Sequence, residues 1–167
     1  MKVEDYNIIF DLDGTLVHSV PDMHNAINKS LKKYNLNPIS EIKLQTFVGE
    51  GMLSLSKRVV DFCGGEEQLY DLFYEDYRQN YSEEPYKYST LMSGVKETLD
   101  FFYRNSVPMA ICTNKRQFVT EKLINQMNLK KFFNILNKRN ISHYIIIIGG
   151  NLKWLIIAFN IHSVSIK

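Results

Sequence analysis

The stretch YNIIFDLDGTL, Tyr6 to Leu16, runs from a short apolar segment into two carboxylates one residue apart and then a glycine. Residues 6–11 predict a buried strand, and Gly14 predicts the loop that follows it. Asp11 then stands at the strand tip and Asp13 in the loop beyond. A chain that ends a strand on two acids needs something at that sheet edge to offset their repulsion.

The rest of the chain supplies a sheet for that strand. "VPMAICTN" is a second apolar run, and it ends in the polar pair Thr113 and Asn114. "YIIIIGG", Tyr144 to Gly150, is a third strand candidate. Amphipathic patterns lie between them: "GVKETLDFFYRN" after Gly94, and "QFVTEKLINQMNL". Strand, helix, strand, helix, strand is the order of an α/β fold with a parallel sheet. Right-handed crossovers bring the carboxyl ends of such strands to one edge, where open α/β sheets bind ligands. Asp11, Asp13, Thr113 and Asn114 all fall at such ends.

Between the first strand and the later core lies a block with helical spacing only. Pro21 opens a helix, with Met23, Ala26, Ile27, Leu31 and Tyr34 on one face. Ser40 caps a short helix. Met52, Leu55, Val59 and Phe62 share a face of the next, which Gly64-Gly65 stops. Leu69, Leu72, Phe73 and Tyr77 continue the pattern. The expected organisation is an α/β core from residues 1–16 and 86–167, with residues 17–85 as an inserted helical block.

Two nearby carboxylates are held together by a cation or by a shared proton. Mg²⁺, a hard cation, suits oxygen ligands and keeps waters or a substrate phosphate as well. One carboxylate can attack phosphorus, and the other can protonate a leaving oxygen and then activate water. A calcium loop also begins D-x-D, and Asp22 falls at its twelfth position, but the sixth is Leu16 where that loop needs glycine. Asp13-Gly14 alone is also a common turn. The strand before it and the second strand ending in Thr-Asn favour a site.

The formal charge of +2 does not call for nucleic acid. The basic bias lies late: no Asp follows Asp100 and no acid of either kind follows Glu121, while Lys122, Lys130, Lys131, Lys138, Arg139, Lys153 and Lys167 do. Those charges are scattered among apolar residues, as on a solvated face. Cys63 and Cys112 form no C-x-x-C pair and no disulfide framework. "MKVEDYN" lacks the apolar core of a signal peptide, so a cytoplasmic location is expected. Gly149, Gly150, Asn151 and Lys153 interrupt the apolar run from Tyr144 to Ile161, and neither piece is long enough to span a bilayer. Two buried pieces joined by a turn are expected there, and no membrane partner.

"FDLDGTLVHSVPDM" resembles the first motif of the haloacid-dehalogenase-like phosphatases, and "ICTNK", Ile111 to Lys115, resembles their second. "SGVKETLDFF" and "FVGEGM" are similar to the phosphoglycolate phosphatase branch. The similarity covers roughly residues 5–135. It implies a Rossmann-like core, a helical cap inserted after the first strand, Mg²⁺ dependence and hydrolysis of a small phosphorylated metabolite. Carried over, Asp11 is the nucleophile, and Asp13 the general acid/base. Asp11 and the Asp13 carbonyl are the metal ligands. Thr113 and the Asn114 amide hold phosphoryl oxygens, and Gly14 shapes the loop. His18 stands where an acid is common in that family and takes no role.

Two further motifs are implied. A late acidic pair, usually G-D-x-x-x-D, is absent, because no acid follows Glu121. A lysine beside the phosphate is the other. "IIGGNLK" resembles the G-G-D stretch before that lysine, with Asn151 for Asp, and Lys153 is its candidate, against the alternative of a solvated turn residue. The core is therefore expected to be incomplete at its C-terminus, through truncation or an altered frame near residue 136, with one side of the first strand open unless the tail covers it. An Mg-dependent phosphatase of impaired activity is the first reading. A non-catalytic remnant that binds phosphate-bearing ligands or a partner protein is the alternative.

Overall fold

A computed structural model describes residues 7–133, together with the backbone of residues 144–145 and 154–157. The chain folds as two compact units. One joins residues 7–18 to 90–133 and the two later strand segments; the other is residues 19–89.

The first unit is built on a four-stranded sheet. Its strands are β1 (Asn7–Phe10), β4 (Met109–Thr113), β5 (Tyr144–Ile145) and β6 (Trp154–Ile157), in the order β5-β4-β1-β6. β1 is parallel to both neighbours, with Ile8 opposite Met109 and Leu155. β2 (Val17–His18) and β3 (Thr90–Leu91) form a separate antiparallel pair. Helix α5 (Val95–Arg104) begins after Gly94, whose φ of 78° is left-handed, and buries Val95 and Leu99. Helix α6 (Gln117–Gln126) buries Val119, Thr120, Leu123 and Ile124. It ends where Asn128 turns left-handed at φ 55° and the Leu129 amide reaches back to Ile124 O at 2.9 Å.

Ile8, Phe10, Leu12, Val95, Leu99, Met109, Ile111, Leu123 and Phe133 share one apolar core. Phe10 anchors it, with Phe102 and Phe133 each 6.3 Å from its ring, the latter edge-on. This core fixes β1 beside β4 and so fixes what stands at their carboxyl ends.

The expected parallel strand at 144–148 is corrected. Tyr144–Ile145 pairs antiparallel with β4, Thr113 opposite Tyr144 and Cys112 opposite Ile145. An apolar run specifies burial but not direction, because parallel and antiparallel ladders accept the same side chains. Residues 146–150 lie outside the described residues. β6, which the sequence pattern did not assign, takes the side of β1 expected to stand open unless the tail covers it, so the tail covers it.

The second unit is helical: α1 (Val20–Lys33), α2 (Glu41–Gln45), α3 (Met52–Phe62) and α4 (Tyr70–Glu83). α1 buries Met23, Ala26, Ile27 and Leu31, has Asp22 in its first turn and has Lys32 and Lys33 in its last, which suits the helix dipole. Asn28 clamps the following loop to α1: it donates to Ile39 O at 3.1 Å and accepts from Ile39 N at 3.0 Å. In α3 and α4 the expected faces are buried in part: Leu55, Val59, Phe73 and Tyr77 are buried as expected. Phe62 and Leu72 are 53% and 59% exposed, while Val60, Phe73, Tyr77 and Tyr81 are buried. Positions 73, 77 and 81 keep the i, i+4 spacing of one stripe.

Candidate active site

Leu12, fully buried, anchors the loop after β1. Its carbonyl accepts from Leu16 N at 3.0 Å and from Val17 N at 2.9 Å, while Gly14 N donates to Val17 O at 2.8 Å. Gly14 holds φ 84°, a left-handed conformation that costs little only without a Cβ. The turn is therefore tight, and it brackets Asp13 between a buried anchor and a glycine.

The register brings the second strand's end alongside. Phe10 lies opposite Ile111. These two positions, three residues before Asp13 and Asn114, are thus in register. Thr113 is buried and accepts from the Lys115 amide at 3.2 Å through its Oγ1, which keeps the hydroxyl proton for another acceptor. Asn114 is exposed. The Lys115 side chain folds back, and its Nζ donates to both carboxylate oxygens of Asp13, at 2.9 and 3.1 Å. Only 4% of that lysine side chain is exposed, against 16% for Asp13.

Asp11 sits beside this pair. Burial pushes its carboxyl up to about 6; the Leu12 amide opposes that, the Asp13 charge adds to it, and the Lys115 charge opposes it. The Cys112 thiol is also pushed up, first by burial and then by the Asp11 charge. Asp11 thus feels both members of the ion pair, which groups the three charges at one sheet edge. Together they form a partly desolvated carboxylate, a second carboxylate held by a cation, and a hydroxyl donor. That set can receive a phosphoryl group and move a proton.

Lys115 was missed as a site residue, although it lies inside the ICTNK motif. The signal was its position, two residues past the end of a strand that neighbours β1. The lysine sought was instead Lys153, which lies outside the described residues. Among the described residues no group of three or more His, Cys, Asp or Glu side chains is arranged to hold a metal ion. Also among them, no helix is long and apolar enough to cross a membrane.

The sequence model of the haloacid dehalogenase-like hydrolases matches residues 8–142. A phosphoglycolate phosphatase of Chromobacterium violaceum is 30% identical over 132 residues, which are 77% of this chain and 60% of that protein. One of Photobacterium profundum is 34% identical over 138 residues, covering 75% and 57%. The crystal structure of a predicted phosphoglycolate phosphatase from Haemophilus somnus superposes with a TM-score of 0.73 at 33% identity, over 80% of this chain and 61% of that one. A haloacid dehalogenase-like hydrolase of Streptococcus pneumoniae, 23% identical with a TM-score of 0.69, shares the fold over 80% of this chain and 60% of its own. The chain spans about half to 60% of the length of the curated relatives it matches, from 47% to 60%.

Proposed function

Because this chain belongs to the haloacid dehalogenase-like hydrolase family, we propose that it is a phosphomonoester hydrolase working through an aspartyl-phosphate on Asp11. The observation that carries this reading is the charge group at the sheet edge: Asp11, with its carboxyl raised to about 6, beside an Asp13 held through both oxygens by Lys115. Asp11 is ionised at neutral pH and attacks phosphorus. Asp13, when it carries a proton, gives it to the leaving oxygen, and the resulting carboxylate takes a proton from the water that opens the intermediate. The Thr113 hydroxyl and the Asn114 amide donate to the phosphoryl oxygens. Lys153 is the second cation of this reading.

The Asp11 carboxylate and the Asp13 carbonyl are hard oxygen donors, which fits Mg²⁺, an ion commonly held by one or two protein groups with water and phosphate completing its shell. Bound there, it supplies positive charge that offsets the repulsion between carboxylate and phosphate dianion. Two donors with no late acid hold it weakly. Loss of one electrostatic group in a phosphoryl or acyl site typically costs ~2.7–4 kcal/mol, about a hundred- to a thousandfold in rate. Turnover slower than that of full-length relatives follows, and two such losses need not add. Residues 19–89 serve as the helical cap that selects the substrate. The substrate class is a small phosphorylated metabolite, and "FVGEGM" favours phosphoglycolate.

The sparse metal-ligand set among the described residues favours one alternative, a remnant that binds phosphate-bearing ligands or a partner without turnover. A Mg²⁺ titration of hydrolysis of p-nitrophenyl phosphate and phosphoglycolate, beside Asp11→Asn, separates the two. Slow, Mg²⁺-dependent turnover that Asp11→Asn abolishes supports the phosphatase. Background turnover unchanged by Asp11→Asn supports the remnant.

A further inference from the structure

We propose that Lys115 is the acid pair's own cation: it fixes Asp13 and, through its charge, weakens the hold of the Asp11 carboxylate and the Asp13 carbonyl on a divalent ion. This deepens the phosphatase reading and rests on it only in placing the divalent ion at Asp11 and Asp13. The geometry is that of a built-in charge. Lys115 Nζ reaches both Asp13 oxygens, at 2.9 and 3.1 Å, from a side chain 4% exposed. Its backbone is pinned on both sides, the amide to Thr113 Oγ1 at 3.2 Å and the carbonyl to Thr120 Oγ1 at 3.5 Å. The ammonium therefore cannot swing into solvent without leaving a nearly buried slot.

A nearly buried charge keeps its place only when paired. With both carboxylates ionised, the two negative charges and one positive leave the group at a net −1. An incoming divalent cation meets attraction from both acids and repulsion from the ammonium. Removing the lysine charge takes away the repulsion. A merely structural lysine gives the opposite sign, since its loss loosens the loop and weakens any ion held there.

The test is calorimetric titration of MgCl₂ into the metal-free full chain, at a pH above the Asp11 value of about 6. Wild type is compared with Lys115→Met and Lys115→Arg, and thermal melting reports the fold of each. Lys115→Met is expected to bind Mg²⁺ about tenfold more tightly, the effect of deleting one nearby like charge at partial burial. Lys115→Arg, which restores the charge, is expected to return towards wild type. If Lys115→Met does not fold, Lys115→Gln, which keeps a donor for Asp13 without the charge, is read against the same outcomes. Unchanged or weaker binding in a folded Met or Gln variant overturns the inference, as does absence of Mg²⁺ binding in every protein. The phosphatase reading fails separately, in the turnover assay: an active wild type with unaltered Mg²⁺ affinity in the variant would keep that reading and reject this one.

Discussion

Asp11 is held where its charge is expensive. Its carboxyl is raised from 3.8 to about 6, chiefly by burial. Between those values the folded chain keeps a proton that the unfolded chain has lost. Stability therefore falls as pH rises through this window, and that contribution is fully lost above about 6. Asp11→Asn should accordingly stabilise the metal-free chain by about 1–2 kcal/mol at mildly alkaline pH, after discounting for solvent screening, and by little near pH ~4. Thermal melts in chelator across this range check it; an equal gain at both ends would remove burial of the charge as the cause. Asp22 is instead tied down by hydrogen bonds. It is 2% exposed and accepts from the amides of Tyr88 and Ser89, at 2.8 and 2.7 Å, and from the Ser89 hydroxyl. Asp22→Ala leaves three donors without their acceptor and should cost about 2–4 kcal/mol in urea denaturation. A cost below about 0.5 kcal/mol, the range of ordinary surface changes, would mean that water replaces the carboxylate freely.

At the scale of elements, α4 offers a direct check of helical phase. Phe73→Ala should cost about 3–5 kcal/mol, because Phe73 is fully buried, while Leu72→Ala, 59% exposed, should stay within about 0.5 kcal/mol. Comparable losses at both positions would mean that the helix is rotated from the face described. The sequence pattern identified every helix of this unit, but in α3 and α4 only part of the buried face: Leu55, Val59, Phe73 and Tyr77 are buried as expected, and Phe62 and Leu72 are not. Aromatics at 62, 70, 73, 74, 77 and 81 offer more than one apolar stripe, and packing against neighbouring helices decides between them. In α1 only one stripe exists, and it is the buried one. β1 and β4 were legible for a similar reason: each is a single apolar run ending in polar residues. Strand direction at Tyr144–Ile145 was not legible, since polarity is a tertiary property. Lys115 was not legible as a site residue because its partner lies 102 positions away in sequence and meets it only through the β1–β4 register.

At the scale of the whole molecule, β1 has partners on both sides. Trp154–Ile157 pairs with all of Asn7–Phe10, so an acid-free tail supplies the backbone partner that the expected late strand would have given. It supplies no carboxylate: a sheet needs only backbone donors and acceptors, whereas a metal site needs charge. Leu155→Pro removes an amide from the β6 ladder. It should raise hydrogen exchange at Ile8–Phe10 markedly; unchanged protection would mean that β4 alone secures β1. Transfer of a phosphoryl group to Asp11 is read directly by trapping it covalently. p-Nitrophenolate leaves without needing a proton, so Asp13→Asn should allow the first step and slow the second. Peptide mass spectrometry after acid quench of Asp13→Asn with Mg²⁺ and p-nitrophenyl phosphate is predicted to find one phosphoryl group on Asp11. The Asp11→Asn/Asp13→Asn chain should lack it. No phosphoryl group on Asp11 in the folded Asp13→Asn chain, or one on another residue, would contradict the account.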